Sequence, residues 1–168
     1  MAVITPSRRV RRTPFTQGVE AAGVAGYTVY NHMLLASQFR GLVEDYHHLK
    51  KYVQIWDVAC ERQVQIKGPD ARRLVDLLTP RDLAAMRPDR CMYIPVTDQN
   101  GGLLNDPVLL QVGPDTYWIS IADSDLLLWI SAVAACKGFD VNVTEPDVSP
   151  LGVQGPRADD LMARLFGE

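Results

Sequence analysis

Residues 91–125 read CMYIPVTDQNGGLLNDPVLLQVGPDTYWISIADSD, and the turn chemistry inside this stretch decides the fold. Three strand-like runs rich in β-branched and aromatic residues are separated by two turn signals. Asn100-Gly101-Gly102 supplies residues that tolerate positive φ, as tight hairpins demand. Gly113-Pro114-Asp115 supplies the second turn, with Pro114 fixing φ. Between them stands Asn105-Asp106-Pro107. Proline has no N–H to give a ladder, so the strand is expected to loosen there, beside a carboxylate. A polar pair at such a break faces either water or a pocket, and the pattern alone leaves both open.

Upstream of the hairpins, Val64 and Ile66 alternate with Gln63, Gln65 and Lys67, which predicts a strand within 54–67. Gly68-Pro69-Asp70 follows, then Ala71, Leu74, Val75 and Leu78 at helical spacing. Pro69 suits a first helical turn, where a missing N–H costs nothing, and Thr79-Pro80 closes the helix. Downstream, Ser124 or Asp125 is placed to cap a helix whose face is Leu126, Trp129, Ile130 and Val133. Gly138 stands where a C-terminal glycine belongs, and Phe139, Val141 and Val143 alternate as a last strand. The order across about 54–145 is therefore β-α-β-β-α-β with one extra hairpin strand, an α+β, ferredoxin-like arrangement.

Farther out, Leu42, Tyr46, Leu49 and Val53 predict a helix over 40–53. From Gly26, the run GYTVYNHMLL predicts a short strand or an ordered loop, and residues 1–26 read as irregular. Arg8, Arg9, Arg11 and Arg12 form a basic cluster that either grips an anion or lies solvated along the protein. No metal site is expected. His47 and His48 are neighbours on a helix and point about 100° apart. His32 is isolated, and Cys60, Cys91 and Cys136 have no CxxC spacing.

The 168 residues suffice for a domain with a real core, and 47% apolar with 22% charged residues is ordinary globular composition. A net charge of −3 gives no pull toward nucleic acid or anionic membrane. No apolar run approaches the roughly 20 residues of a membrane span, and the first residues carry no apolar signal region. Unpaired, scattered cysteines point to a cytoplasmic, reducing home.

One repeat stands out. Residues 151–165 read LGVQGPRADDLMARL and residues 64–78 read VQIKGPDARRLVDLL. Gly68, Pro69, Ala71 and Leu74 recur as Gly155, Pro156, Ala158 and Leu161. A second βαββαβ-like unit is thus expected to start near Ser149. The chain then divides into an irregular arm and strand (1–39), a βαββαβ-like domain (40–148) and the first strand and helix of a truncated second repeat (149–168). A lone strand and helix cannot bury their apolar faces, so further domains or a second chain are expected as partners.

Trp56-Asp57-Val58, Lys67-Gly68-Pro69-Asp70-Ala71, Gly101-Gly102-Leu103-Leu104-Asn105-Asp106 and Leu151-Gly152-Val153-Gln154-Gly155-Pro156 occur in this order. In order and spacing the chain resembles the first half of the folate-dependent aminomethyltransferases, the family of the glycine cleavage T-protein. The runs YTVYNHMLL, YHHLKKYVQIWDVACERQ, NDPVLL and WISIADSDLLLW look most like the branch that demethylates dimethylsulfoniopropionate. The resemblance implies domains around a central opening that holds tetrahydrofolate, with 40–148 as the folate-binding domain. It also implies a folate lying against Asn105 and Asp106, where aminomethyltransferases carry two aspartates. On that reading Asn105 and Asp106 are the catalytic pair, with Asn105 orienting the folate nitrogen. Asp106 contacts the pterin or merely supports the strand, and Tyr93 joins the pair in binding the cofactor.

The substitution makes chemical sense. A sulfonium donor is already cationic and leaves as a neutral thioether, so alignment supplies most of the acceleration. An anion beside it would mainly stabilise the ground state. A soft cation also favours aromatic faces, and Tyr30 and Trp56 are expected in the substrate pocket. Tyr117 and Trp118 alternate on a strand, so only one of them can face the opening. The expected activity is methyl transfer from dimethylsulfoniopropionate to folate N5, giving 5-methyltetrahydrofolate and methylmercaptopropionate. The alternatives are aminomethyl transfer, another folate-dependent demethylation, or a non-enzymatic folate-binding module.

Overall fold

The computed structural model describes residues 9–167, so Arg8 of the basic cluster lies outside the described residues. In chain order the elements are α1 (Thr16–Ala21), β1 (Gly26–Tyr30), β2 (Met33–Gln38), α2 (Leu42–Lys51), β3 (Gln54–Asp57), β4 (Gln63–Lys67), α3 (Ala71–Leu78) and β5 (Met92–Tyr93). Then come β6 (Val96–Thr97), β7 (Leu103–Asn105), β8 (Val108–Gly113), β9 (Thr116–Ser120), α4 (Leu126–Lys137), β10 (Asn142–Thr144), β11 (Leu151–Gln154) and α5 (Ala158–Phe166).

They form two compact units: Met1–Cys60 with Ser149–Glu168, and Glu61–Val148. This differs from the three-part division expected from the sequence. The boundary falls at residue 60 rather than 39, and the segment after 148 joins the N-terminal unit. The cause is strand pairing: β11 lies antiparallel to β3, with Leu151 opposite Asp57 and Gln154 opposite Gln54.

The unit of residues 61–148 is ferredoxin-like. Its five-stranded sheet has the order β10-β4-β9-β8-β5, and every pairing in it is antiparallel. Without β5, the order is that of a split βαβ unit built from β4-α3-β8-β9-α4-β10. Alternation fixes the buried face. Val64, Ile66, Leu109, Tyr117 and Ile119 point into one core with Ala71, Leu74, Val75 and Leu78 of α3 and Leu126, Ile130 and Ala134 of α4. Trp129 packs against this core. Gly138 ends α4 at φ 66, the left-handed conformation that spares glycine a Cβ clash. Asp125 occupies the N-cap position of α4 without a side-chain cap hydrogen bond, and the Ser124 hydroxyl serves Asn105 instead.

In the other unit the sequence reading needs two corrections. Residues 1–26 are not wholly irregular, since they contain α1. The run from Gly26 is a two-stranded hairpin whose turn residues Asn31 and His32 have φ of 47° and 61°. Positive φ at both central positions is what a two-residue hairpin turn requires, and Asn31 bears it because its side chain donates to the Cys60 carbonyl at 2.9 Å.

The repeat seen in the sequence recurs as geometry. Lys67 pairs with Asn142 and Ile66 with Val143, as Gln154 pairs with Gln54 and Val153 with Ile55. At the first joint Gly68 lies against the Asp140 carbonyl, which also accepts the Asp70 N–H at 3.4 Å. At the second joint Gly155 lies against the Tyr52 carbonyl, which accepts the Arg157 N–H at 3.3 Å. The two joints therefore share pairing register, glycine placement and the acceptor of the helix-entry N–H.

Candidate functional site

Sheet register gathers the polar residues of the central stretch. Tyr93 pairs with Val108, Val108 with Ser120, and Ser120 with Gln63, so these four side chains share the face turned away from α3 and α4. The next row on that face is Leu110, Trp118 and Gln65, with the Trp118 indole N–H donating to Gln65 Oε1 at 3.0 Å. Of the alternating pair, Tyr117 is buried in the core and Trp118 takes the opposite side.

Asn105 ends β7, and Asp106-Pro107 makes the break before β8. The Pro107 carbonyl accepts the Ile94 N–H at 3.0 Å, so the chain stays tied across the break. Asp106 is exposed, and its Oδ2 accepts the Tyr93 hydroxyl at 2.5 Å. That carboxylate holds the Tyr93 phenol above its ordinary range, because the hydrogen bond favours the protonated form.

Asn105 has a different environment. It is buried, and its Nδ2 donates to the Ala122 carbonyl at 3.1 Å and to Ser124 Oγ at 2.7 Å. Its Oδ1 accepts the Ala122 N–H at 3.1 Å. Both amide donors and one of two acceptor sites are thus used within the protein. An amide is the one side chain of this size that can donate to a carbonyl and accept from the N–H of the same residue. Asn105 therefore pins the end of β7 to the loop before α4, leaving one oxygen lone pair uncommitted.

Asn105, Asp106 and Tyr93 are consequently neighbours in one unit. Tyr30 and Trp56 belong to the other. Trp56 lines a cavity of about 330 Å³ together with Phe39, Asp45, His48 and Asp57, and Tyr30 is not in its wall. The Asp57 carboxylate accepts the Thr13 hydroxyl and the Ala59 N–H. Asp45 accepts the backbone N–H groups of Phe39, Arg40 and Gly41, which lower its pKa. Sequence reasoning did not place Ser120 and Gln63 beside Tyr93, because sheet register, which periodicity does not fix, brings them there, and it read Ser124 as a helix cap rather than a partner of Asn105. Gln63 donates to Glu61 and Ser120, and its buried Oε1 has no partner. Among the described residues, no three His, Cys, Asp or Glu side chains group closely enough to hold a metal, and no helix is long and apolar enough to cross a membrane.

Residues 15–168 match the family described as the GCVT N-terminal domain. The chain belongs to that family. Its whole length is 64% identical to dimethylsulfoniopropionate demethylase DmdA of Ruegeria pomeroyi, covering 46% of that protein. An aminomethyltransferase of Bordetella parapertussis is 28% identical over 158 residues, covering 90% of this chain and 43% of the relative. The crystal structure of the glycine cleavage system aminomethyltransferase T from Bartonella henselae superposes with a TM-score of 0.81 at 18% identity. That superposition covers 92% of this chain and 43% of the other, so the GCVT fold is shared. The chain spans about half the length of the curated relatives it matches.

Proposed function

We propose that the chain forms the folate-side part of a tetrahydrofolate-dependent methyltransferase, and that its methyl donor is dimethylsulfoniopropionate. The observation that carries this reading is the contrast in identity. The demethylase is 64% identical from end to end of this chain, whereas seven aminomethyltransferases lie at 24–28%.

In the reaction, folate N5 attacks a sulfonium methyl carbon. A C–N bond forms, the C–S bond breaks with its electron pair going to sulfur, and N5 gives up its proton. The leaving group is a neutral thioether, so no side chain has to protonate it. The face bearing Tyr93, Val108, Leu110 and Trp118 offers flat and apolar surface for the folate rings. Tyr93 and Asp106 are the pair that contacts it. Asn105 acts as a positioning residue: by holding the strand end it sets Asp106, and its spare lone pair is an acceptor for a folate N–H.

The test mixes this chain with the part of the Ruegeria pomeroyi relative that it does not match, in the presence of tetrahydrofolate and candidate donors. The readout is 5-methyl against 5,10-methylene product. Release of 5-methyltetrahydrofolate from dimethylsulfoniopropionate is expected, with little or none from this chain alone. A 5,10-methylene product would instead mark an aminomethyltransferase, and folate binding without loss of any methyl group a binding module. Asn105→Asp keeps the size but loses both donors and faces a carboxylate toward the Ala122 carbonyl. It should slow demethylation at least tenfold, about 1.4 kcal/mol. An unchanged rate would make the amide incidental.

A further inference from the structure

The sheet face that carries Tyr93, Ser120 and Gln65 is polarised by its own hydrogen bonds. At the β7–β8 break its polar groups accept: the Asp106 carboxylate, which takes the Tyr93 hydroxyl, and the spare lone pair of Asn105 Oδ1. Farther across the sheet they donate. Gln63 Nε2 donates to the Glu61 carbonyl at 3.0 Å and to Ser120 Oγ at 2.9 Å. A backbone carbonyl only accepts, so the Gln63 amide cannot turn over without setting oxygen against oxygen. It keeps this orientation although its buried Oε1 is left without a partner. Ser120 therefore accepts from Gln63, and no acceptor among the described residues takes the proton of its hydroxyl. Gln65 is fixed in the same way. The Trp118 indole N–H, which only donates, holds Gln65 Oε1 at 3.0 Å, so the Gln65 amino group points away from that ring. Its N–H groups have no acceptor among the described residues. Ser120 and Gln65 are both half-buried.

We propose that this polarity sets the direction in which tetrahydrofolate lies on the sheet. The reduced pterin lies at Tyr93 and Asp106, and the benzoylglutamate tail runs toward Ser120 and Gln65, whose hydroxyl and amide N–H groups donate to its carbonyl and carboxylate oxygens. This lie presupposes that folate binds the face, as proposed above, and is independent of the methyl donor. The ligand has the matching polarity. A reduced pterin presents N–H groups, which need acceptors, and the tail presents an amide carbonyl and carboxylates, which need donors. Spacing agrees. Neighbouring strands lie about 4.8 Å apart, so Ser120 on β9 stands about 10 Å across the sheet from Tyr93 on β5. Gln65 stands one strand farther, on β4, and one side-chain row along, about 15 Å in all. A para-substituted benzoyl group spans the first interval and its glutamate the second. Between them Val108, Leu110 and Trp118 offer the flat ring apolar surface. The reversed lie would set the tail carboxylates against Asp106, and like charges brought together cost affinity. Neither donor is a cation, so they order the tail by direction rather than by net charge.

The experiment measures the affinity of tetrahydrofolate, and of a tetrahydropterin without the benzoylglutamate tail, for this chain combined with the unmatched part of the Ruegeria pomeroyi relative. Ser120→Ala removes one donor and should weaken tetrahydrofolate about threefold. Gln65→Glu keeps the acceptor for Trp118 but turns a carboxylate on the tail, and should weaken tetrahydrofolate roughly tenfold. Tetrahydropterin affinity should stay within about twofold of the parent in both variants, which also shows the face intact. Ser120→Thr keeps the hydroxyl and should restore binding. Gln63→Leu frees that hydroxyl to turn and should give a smaller loss with the same dependence on the tail. Equal losses for both ligands, no loss for either, or a loss confined to tetrahydropterin would overturn the proposal. No binding of tetrahydrofolate would overturn it together with the reading it rests on. Losses confined to tetrahydrofolate, in a mixture that releases no 5-methyltetrahydrofolate, would leave the lie standing and refute the methyltransferase reading. Methyl transfer with tetrahydrofolate affinity unchanged in every variant would do the reverse.

Discussion

Two copies of one β-Gly-Pro-α joint sit in this chain, one roofed by a hairpin and one bare among the described residues. The joints share pairing register, glycine placement and the carbonyl that receives the helix-entry N–H. They differ in what lies on the next strand edge. Local sequence thus sets the joint, while the stability of the helix after it depends on remote chain. The sharpest way to break this comparison is a matched truncation. Leu78→Ala opens a cavity in a closed core and should cost about 2–5 kcal/mol. Leu165→Ala, at the equivalent position, should stay within about 0.5 kcal/mol. Urea unfolding of the two variants checks both, and equal losses would mean that α5 is already packed.

The glycines sharpen the same point. A Cβ on Gly68 would lie 2.5 Å from the Asp140 carbonyl oxygen, and one on Gly155 would lie 2.2 Å from that of Tyr52. Both have positive φ, 145° and 120°. Clash distance alone makes Gly155→Ala the worse change. Yet a strained joint can cost no more than the free energy that keeps the joint formed. The prediction is therefore the reverse: Gly68→Ala should cost about 3 kcal/mol, from backbone strain and overpacking together, and Gly155→Ala less. A larger loss for Gly155→Ala would show that the bare joint is as firmly held as the roofed one.

Much of this was legible in the residues, for identifiable reasons. Apolar spacing marked α2, α3 and α4, because each helix repeats at three and four. Glycine and proline marked both joints and both hairpin turns. The β1–β2 hairpin was left open because its turn is Asn31-His32, without glycine, and a partner elsewhere, Cys60, sustains the conformation. The site was legible only in part. Asn105 and Asp106 stand out at a proline break, whereas Tyr93 is one of several aromatics and only the pairing of β5 with β8 and its hydrogen bond put it beside Asp106. Nothing in the sequence shows that Asn105 spends its donors on Ala122 and Ser124, because those partners come from a loop that only the folded sheet returns to it. The domain boundary was missed for the same reason: β11 finds β3 across the whole of residues 61–148.

The smallest expected effect lies in a residue at the helix start that differs chemically between the joints. Asp70 begins the roofed helix, and Arg157 stands at that position in the bare one. The Asp70 carboxylate accepts the Asp140 N–H at 3.0 Å and pairs with Arg73 at 2.6 Å. Those two contacts, the backbone bond first, lower its pKa below the ordinary 3.8. Arg157 instead lays its guanidinium over the Tyr52 ring, 5.4 Å from the centroid. A carboxyl whose folded pKa is depressed lends stability that is present above its unfolded value. That stability is lost as pH falls through the folded pKa. Acid should therefore loosen the joint at Gly68, while the joint at Gly155 has no carboxyl at the equivalent position to lose. The amide proton shifts of the two glycines, followed from neutral to acid pH, read this directly. Gly68 should show a step below pH 3.8 that Asp70→Asn removes, and Gly155 no step from this source. The effect stays small because a single half-buried carboxylate, still partly open to water, carries it. Added salt should shrink only the part owed to Arg73, because screening acts on the ion pair and not on the backbone hydrogen bond. A step of equal size at both glycines would mean that the two joints answer to a common acid transition, and that Asp70 is not what tells them apart.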